Sequence, residues 1–341
     1  MTYVNKGSVT AIGVIFPVLV VISIAIRAWG WRKYSPALEV DDFLIIPAAF
    51  LTIAAGVAMV IGAQMDIIGG HAVGQITATQ QHRLGKLEYA FWIGHVLDIG
   101  FIKLALLFLF RRIFKGRAFR TLFDYTNWTL IGLVILWTLV FFLFEILACG
   151  ATPWVSWSSL YSLRHACVNT FGLQTGCAVF SWVLDVAILV EPLFMIARLQ
   201  MTLRKKLQVC LVFFCSIFAV VAGLLRMIIW IQIEVQGTTG PHTQALATVL
   251  PTTDQEGIVS IIVFWTYVEI GVGFQVACLP TYARHLDKLP LSGLRTRLDS
   301  LLSILSPSKR SRDSSKTSYP PQKSRSDDEI ELYQVPVADG V

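Results

Sequence analysis

Seven apolar runs of about twenty residues dominate this chain: Val9–Ile26, Phe43–Gln64, Tyr89–Phe110, Trp128–Ala148, Leu173–Ala197, Leu207–Ile231 and Ile258–Pro280. At a helical rise of about 1.5 Å per residue, each run can cross ~30 Å of hydrocarbon. The 341 residues are 55% hydrophobic and only 15% charged, whereas soluble domains carry about a quarter charged residues. The expected fold is all-α, a seven-transmembrane helix bundle. The lipid bilayer is its first partner, and a multi-pass position in the plasma membrane or an endomembrane follows.

Lysine and arginine set the expected orientation. Twenty-two of them fall in one alternate set of loops, around Arg27–Lys33, Arg111–Arg120, Arg198–Lys206 and the segment after Pro280. The other set holds four: Lys6, Arg83, Lys86 and Arg164. Lys103 and Arg226 lie within spans. The N-terminus is therefore expected outside and the C-terminus in the cytoplasm. Residues 1–8 form a short outer segment and residues 9–281 the membrane domain. Residues 282–306 place Leu291, Leu294, Leu298, Leu301, Leu302 and Leu305 on one helical face, an amphipathic segment for the inner leaflet. Residues 307–341 are rich in Ser, Lys, Arg, Asp and Pro, the composition of a disordered cytoplasmic tail.

The net charge of +6 does not point to nucleic acid. There is no zinc-finger spacing and no basic stripe with interleaved aromatics, and cations in these loops can face anionic lipid. No phosphate loop or nucleophile elbow occurs. Asn127-Trp-Thr is a sequon, but the topology puts it at the cytoplasmic mouth of helix four, where it is expected to stay unused.

Charges inside a bilayer cost about 2.5–3.5 kcal/mol each on insertion scales, so each needs a partner or a task. Asp98, Asp185 and Glu269 fall near the centres of helices three, five and seven. Three ionised carboxylates at one depth would repel, so one holds a proton, or the site holds a cation or basic ligand group. The alternative is that each acid simply hydrogen-bonds a neighbouring helix. Depth also matches Lys103 with Glu191 and Arg226 with Glu145, as two interhelical ion pairs. Asp41 and Asp42 open helix two, where they can cap free N–H groups or meet a cytoplasmic partner. Cys149 and Cys167 share an outer loop and can form a disulfide, with Cys177 as a competing partner. His95 and Asp98 share a helix face, but no further ligands are evident and no metal is expected.

In order along the chain, Arg27 to Arg32, Asp41-Asp42, Gly70-His71, Lys103 with Arg111-Arg112-Ile113-Phe114, and Cys149 with Trp154 and Cys167 form a pattern. Asp185, Pro192, Lys206, Arg226, Trp265, Glu269 and Leu279-Pro280 continue it. The pattern resembles the fungal rhodopsin-domain proteins, a group of seven-helix proteins that includes a satratoxin-cluster membrane protein. Departures exist, since members often carry Cys-X-Pro where this chain has Cys149-Gly150-Ala151-Thr152-Pro153. The resemblance implies a fungal, receptor-like membrane protein, and some members sit in secondary-metabolite gene clusters. Retinal is not expected despite the family's name, because Ile258–Pro280 holds no lysine for a Schiff base. No other cofactor is expected.

Two readings follow. In the first, a small lipophilic or extracellular ligand enters among helices three, five, six and seven. Helix movement then reaches a cytoplasmic signalling partner through Arg111–Arg120 and Arg198–Lys206. In the second, the chain is an accessory protein or membrane-bound enzyme of a secondary-metabolite or mycotoxin cluster, for example an acid-initiated cyclase or isomerase.

Overall fold

A computed structural model describes residues 3–34, 39–70, 78–114, 120–150, 152–157, 167–198, 203–236, 242–245, 248–251 and 255–286. The amphipathic segment from residue 287 onward, the tail, His71 and parts of both basic loops lie outside the described residues.

Seven helices carry the fold: α1 (Lys6–Tyr34), α2 (Val40–Gln64), α3 (Ala78–Phe114), α4 (Arg120–Leu147), α5 (Thr170–Arg198), α6 (Leu203–Gln236) and α7 (Gln255–Leu286). All seven are long and apolar enough to cross a membrane. Several outrun the hydropathy runs that mark them. α3 begins at Ala78, well before Tyr89, and α7 continues past Pro280. Hydropathy reports only the part in hydrocarbon, while the helix continues into the interface because its backbone groups are already paired. Pro17, Pro47 and Pro192 all sit inside helices, which neighbouring helices make tolerable in a membrane. A short 3-10 turn, Pro153–Trp157, follows α4. The α6–α7 connection carries an antiparallel hairpin of β1 (His242–Ala245) and β2 (Thr248–Pro251), with Thr243 opposite Leu250.

α3 and α7 form the centre. In each, 61% of the apolar window is buried, against a third or less in every other helix. The faces left outside are apolar, as Leu136, Leu139, Leu143 and Phe144 on α4 illustrate. In water such a surface would aggregate, but in lipid it costs nothing. Where lipid removes the hydrophobic drive between helices, close backbone approach replaces it. Gly56 provides this on α2. A Cβ there would stand 2.3 Å from the Tyr267 hydroxyl of α7 and 2.5 Å from Pro17 of α1.

Contacts identify the two ends of the bundle. At one end Lys6 meets Asp66 at 2.7 Å, Gly69 N–H donates to Ser260 Oγ at 2.8 Å, and Asn169 donates to Glu234 at 3.1 Å. Cys149 and Cys167 are joined there by a disulfide. Cys177, the competing partner, is a buried free thiol on α5. The opposite end gathers Arg27, Glu39, Asp41, Asp42 and Arg112.

Candidate functional site

Four of the intramembrane charges, Lys103, Asp185, Arg226 and Glu269, converge on the seam between α3, α5, α6 and α7. Lys103 on α3 donates to an Asp185 carboxylate oxygen on α5, and to the Ser181 carbonyl at 2.9 Å. Arg226 on α6 meets Glu269 on α7 through two contacts, Nε to Oε2 at 2.5 Å and Nη2 to Oε1 at 3.1 Å. The remaining guanidinium nitrogen, Nη1, lies 2.8 Å from His95 Nε2 on α3. Arginine can only donate, so His95 Nε2 accepts and the imidazole is neutral, with its proton on Nδ1. Trp92 packs edge-on against His95 and Trp230, with ring centroids 5.5 Å apart in each case. The two ion pairs adjoin at Gly223. A methyl there would stand 3.5 Å from Asp185 Oδ2 and 3.6 Å from Glu269 Oε1.

This pairing corrects the one read from depth. Lys103 pairs with Asp185 rather than Glu191, and Arg226 with Glu269 rather than Glu145. Axial rise fixes depth but not direction around a helix. Asp185 and Glu191 are six residues apart on α5, so they point about 120° away from each other. Asp185 faces α3, and the flexible lysine stem absorbs the axial offset. Glu191 is buried beside Asn127 of α4. Glu145 is met by Gln174 of α5, whose Nε2 donates to it at 2.5 Å.

The expected triad of acids is also divided. Asp185 and Glu269 adjoin, and each has its own cation. Asp98 stands apart, bonded at 2.9 Å to the Thr52 hydroxyl of α2. Its other oxygen, Oδ1, is buried without a hydrogen-bond partner among the described residues. Thr52 Oγ1 is also 2.9 Å from the Ala48 carbonyl, and Tyr267 donates to the Thr52 carbonyl at 3.1 Å. Thr52, Tyr267, Ser181 and Gly223 escaped the sequence reading. Only Ser181, one helical turn before Asp185, left a signal of spacing. Among the described residues no group of three or more His, Cys, Asp or Glu could hold a metal.

At the other end, Asp41 and Asp42 do more than begin a helix. Asp42 accepts the Glu39 N–H at 3.3 Å, a cap contact. Arg27, only 2% exposed, meets Asp42 at 3.0 Å and Asp41 at 3.8 Å. Arg112 reaches Glu39 at 3.2 Å, Asp41 at 3.3 Å and Asp42 at 3.6 Å. One cluster, buried at Arg27, Asp41 and Asp42 and open at Glu39 and Arg112, thus binds α1, α2 and α3. Asn127 of the sequon is buried in α4 and donates to the Leu107 carbonyl at 3.3 Å.

Seven apolar helices around a paired, charged interior define a multi-pass membrane protein with a polar site inside the bundle. The chain belongs to the fungal rhodopsin domain family, whose model matches residues 26–288. It is similar to a Metarhizium anisopliae protein named polyenoic acids biosynthesis gene cluster protein Ba17b. The two are 27% identical over 292 residues, spanning 82% of this chain and 74% of that one. No solved structure matches the chain. Its residues do not fit the retinal that the family's name implies. α7 carries no lysine within its apolar run, and Lys103 is committed to Asp185 and Ser181.

Proposed function

We propose that this chain is a receptor-like protein that senses a small lipophilic ligand within its bundle and serves a fungal secondary-metabolite pathway. In this reading the N-terminus lies outside and the C-terminus in the cytoplasm, as the basic loops favour. The observation that carries the reading is the seam at Gly223. There, two interhelical ion pairs adjoin without exchanging partners, and Asp185 keeps 19% side-chain exposure beside Lys103 at 4%. A ligand entering this seam meets groups on four helices at once, so its binding energy bears directly on their spacing. The pathway setting rests on the similarity to a protein named for a polyenoic acids biosynthesis cluster. The basic loops are the surface for a cytoplasmic partner.

The test is a deletion strain complemented with wild type or with Asp185→Asn/Glu269→Gln, followed by metabolite profiling and transcript measurement of the neighbouring genes. Loss of the wild-type response in the double variant, with normal membrane levels, supports the reading. A full response in that variant rejects it.

One observation favours a second reading, a membrane enzyme of such a pathway. Among the described residues Asp98 has no cation against it and one orphaned oxygen, and a protonated carboxyl in hydrocarbon is suited to general acid chemistry. Microsomes containing the wild type but not Asp98→Asn would then convert a pathway intermediate. The absence of any such conversion leaves the receptor reading.

A further inference from the structure

Lys103 and Arg226 balance Asp185 and Glu269 in charge, but not in hydrogen bonds. Lys103 engages one oxygen of Asp185. The other, Oδ2, makes no hydrogen bond among the described residues and stands at Gly223, which faces it with no side chain. One turn earlier on the same side of α5, Ser181 is fully buried, and its Oγ has no hydrogen-bond partner among the described residues. Its carbonyl and Asp185 both hold Lys103, one helical turn apart on α5. In hydrocarbon, polar groups left in this condition cost free energy until something meets them. A spare acceptor beside a missing side chain and a spare hydroxyl thus stand one helical turn apart on α5.

We infer that this seam holds a neutral lipophile by a hydroxyl group, which donates to Asp185 Oδ2 beside Gly223 and accepts from Ser181 Oγ. The inference rests on the ligand-sensing reading above and adds the ligand's chemical class. A carboxylate in this position would face two carboxylates. An ammonium would bring a third cation to a site where two acids already meet two bases, an unbalanced charge in a medium that penalises it. A hydroxyl brings no charge, and its donor and acceptor match the two spare groups.

The test uses the full chain in nanodiscs with dodecanol, dodecylamine and dodecanoic acid as probes of one chain length. Thermal unfolding is followed by tryptophan fluorescence. Dodecanol raises the Tm saturably by a few degrees, as a ligand bound only by the folded state does. Gly223→Ala places its methyl at ordinary contact distance, 3.5 Å from Asp185, so it folds with the wild-type Tm but loses the response. Ser181→Ala weakens the apparent affinity by about 5-fold, one neutral hydrogen bond. Equal dodecanol responses in wild type and Gly223→Ala, or no saturable response in the wild type, overturn the site. A saturable response to the amine or the acid that Gly223→Ala abolishes overturns the hydroxyl assignment but leaves ligand sensing intact.

Discussion

Arg226 and Glu269 lie in parallel, with guanidinium Nε and Nη2 on the two carboxylate oxygens at 2.5 and 3.1 Å, across the contact between α6 and α7. Both are almost wholly buried, Arg226 at 1% and Glu269 at 5% exposure. Glu269→Ala or Arg226→Ala alone strands a charge in the membrane and costs about 3–5 kcal/mol. The double variant Arg226→Met/Glu269→Leu leaves no charge stranded, only the neutral His95 Nε2 acceptor, and recovers most of that loss. Unfolding of the purified chain in micelles measures all three.

Lys103 gives a double-mutant cycle with a definite sign. Lys103→Met and Asp185→Asn are expected to couple by about 0.5–3 kcal/mol, because they share a contact. Lys103→Met and Glu191→Gln are expected to add, within about 0.5 kcal/mol, because Glu191 faces α4. Coupling in the second cycle and additivity in the first would return the pairing to the one inferred from depth.

The two arginines of the other cluster differ in burial. Arg27 is sealed at 2% exposure, whereas Arg112 retains 15%. Arg27→Ala is expected to lower stability by about 3–5 kcal/mol regardless of salt. Arg112→Ala costs less, and its effect shrinks as ionic strength rises, since water and ions reach it. Unfolding curves at low and high salt separate the two.

The disulfide joins residues 18 positions apart. A closed loop of that size stabilises by about 3 kcal/mol on the chain-entropy account. Cys149→Ser or Cys167→Ser is expected to lower the Tm and remove the mobility difference between reduced and unreduced gels. Cys177→Ser is expected to leave that difference unchanged. Loss of it in Cys177→Ser would mean a different bridge.

The spans were legible because lipid demands about twenty apolar residues in a row, and little else does. The helix ends were not, because Gln80, His82 and Lys86 look like loop while the backbone continues as α3 through Ala78. The charged residues of the site were legible for the same reason as the spans, since charge is conspicuous in hydrocarbon. Their partners were not. Depth counts residues along one axis, while pairing depends on rotation, tilt and the reach of a side chain, and Asp185 and Glu191 point about 120° apart. Gly223 shows the limit most clearly. Its part in the seam comes from what it lacks, and one glycine within an apolar run looks like any other.

The two central ion pairs also determine which helices can part. Separating α6 from α7 would bare a guanidinium to lipid, and separating α3 from α5 would do the same to an ammonium. A split that runs between these couples spares both central ion pairs and breaks contacts such as the His95–Arg226, Tyr267–Thr52 and Thr175–Trp230 hydrogen bonds. Any opening along the line that passes Gly223 would therefore swing α6 and α7 as one unit.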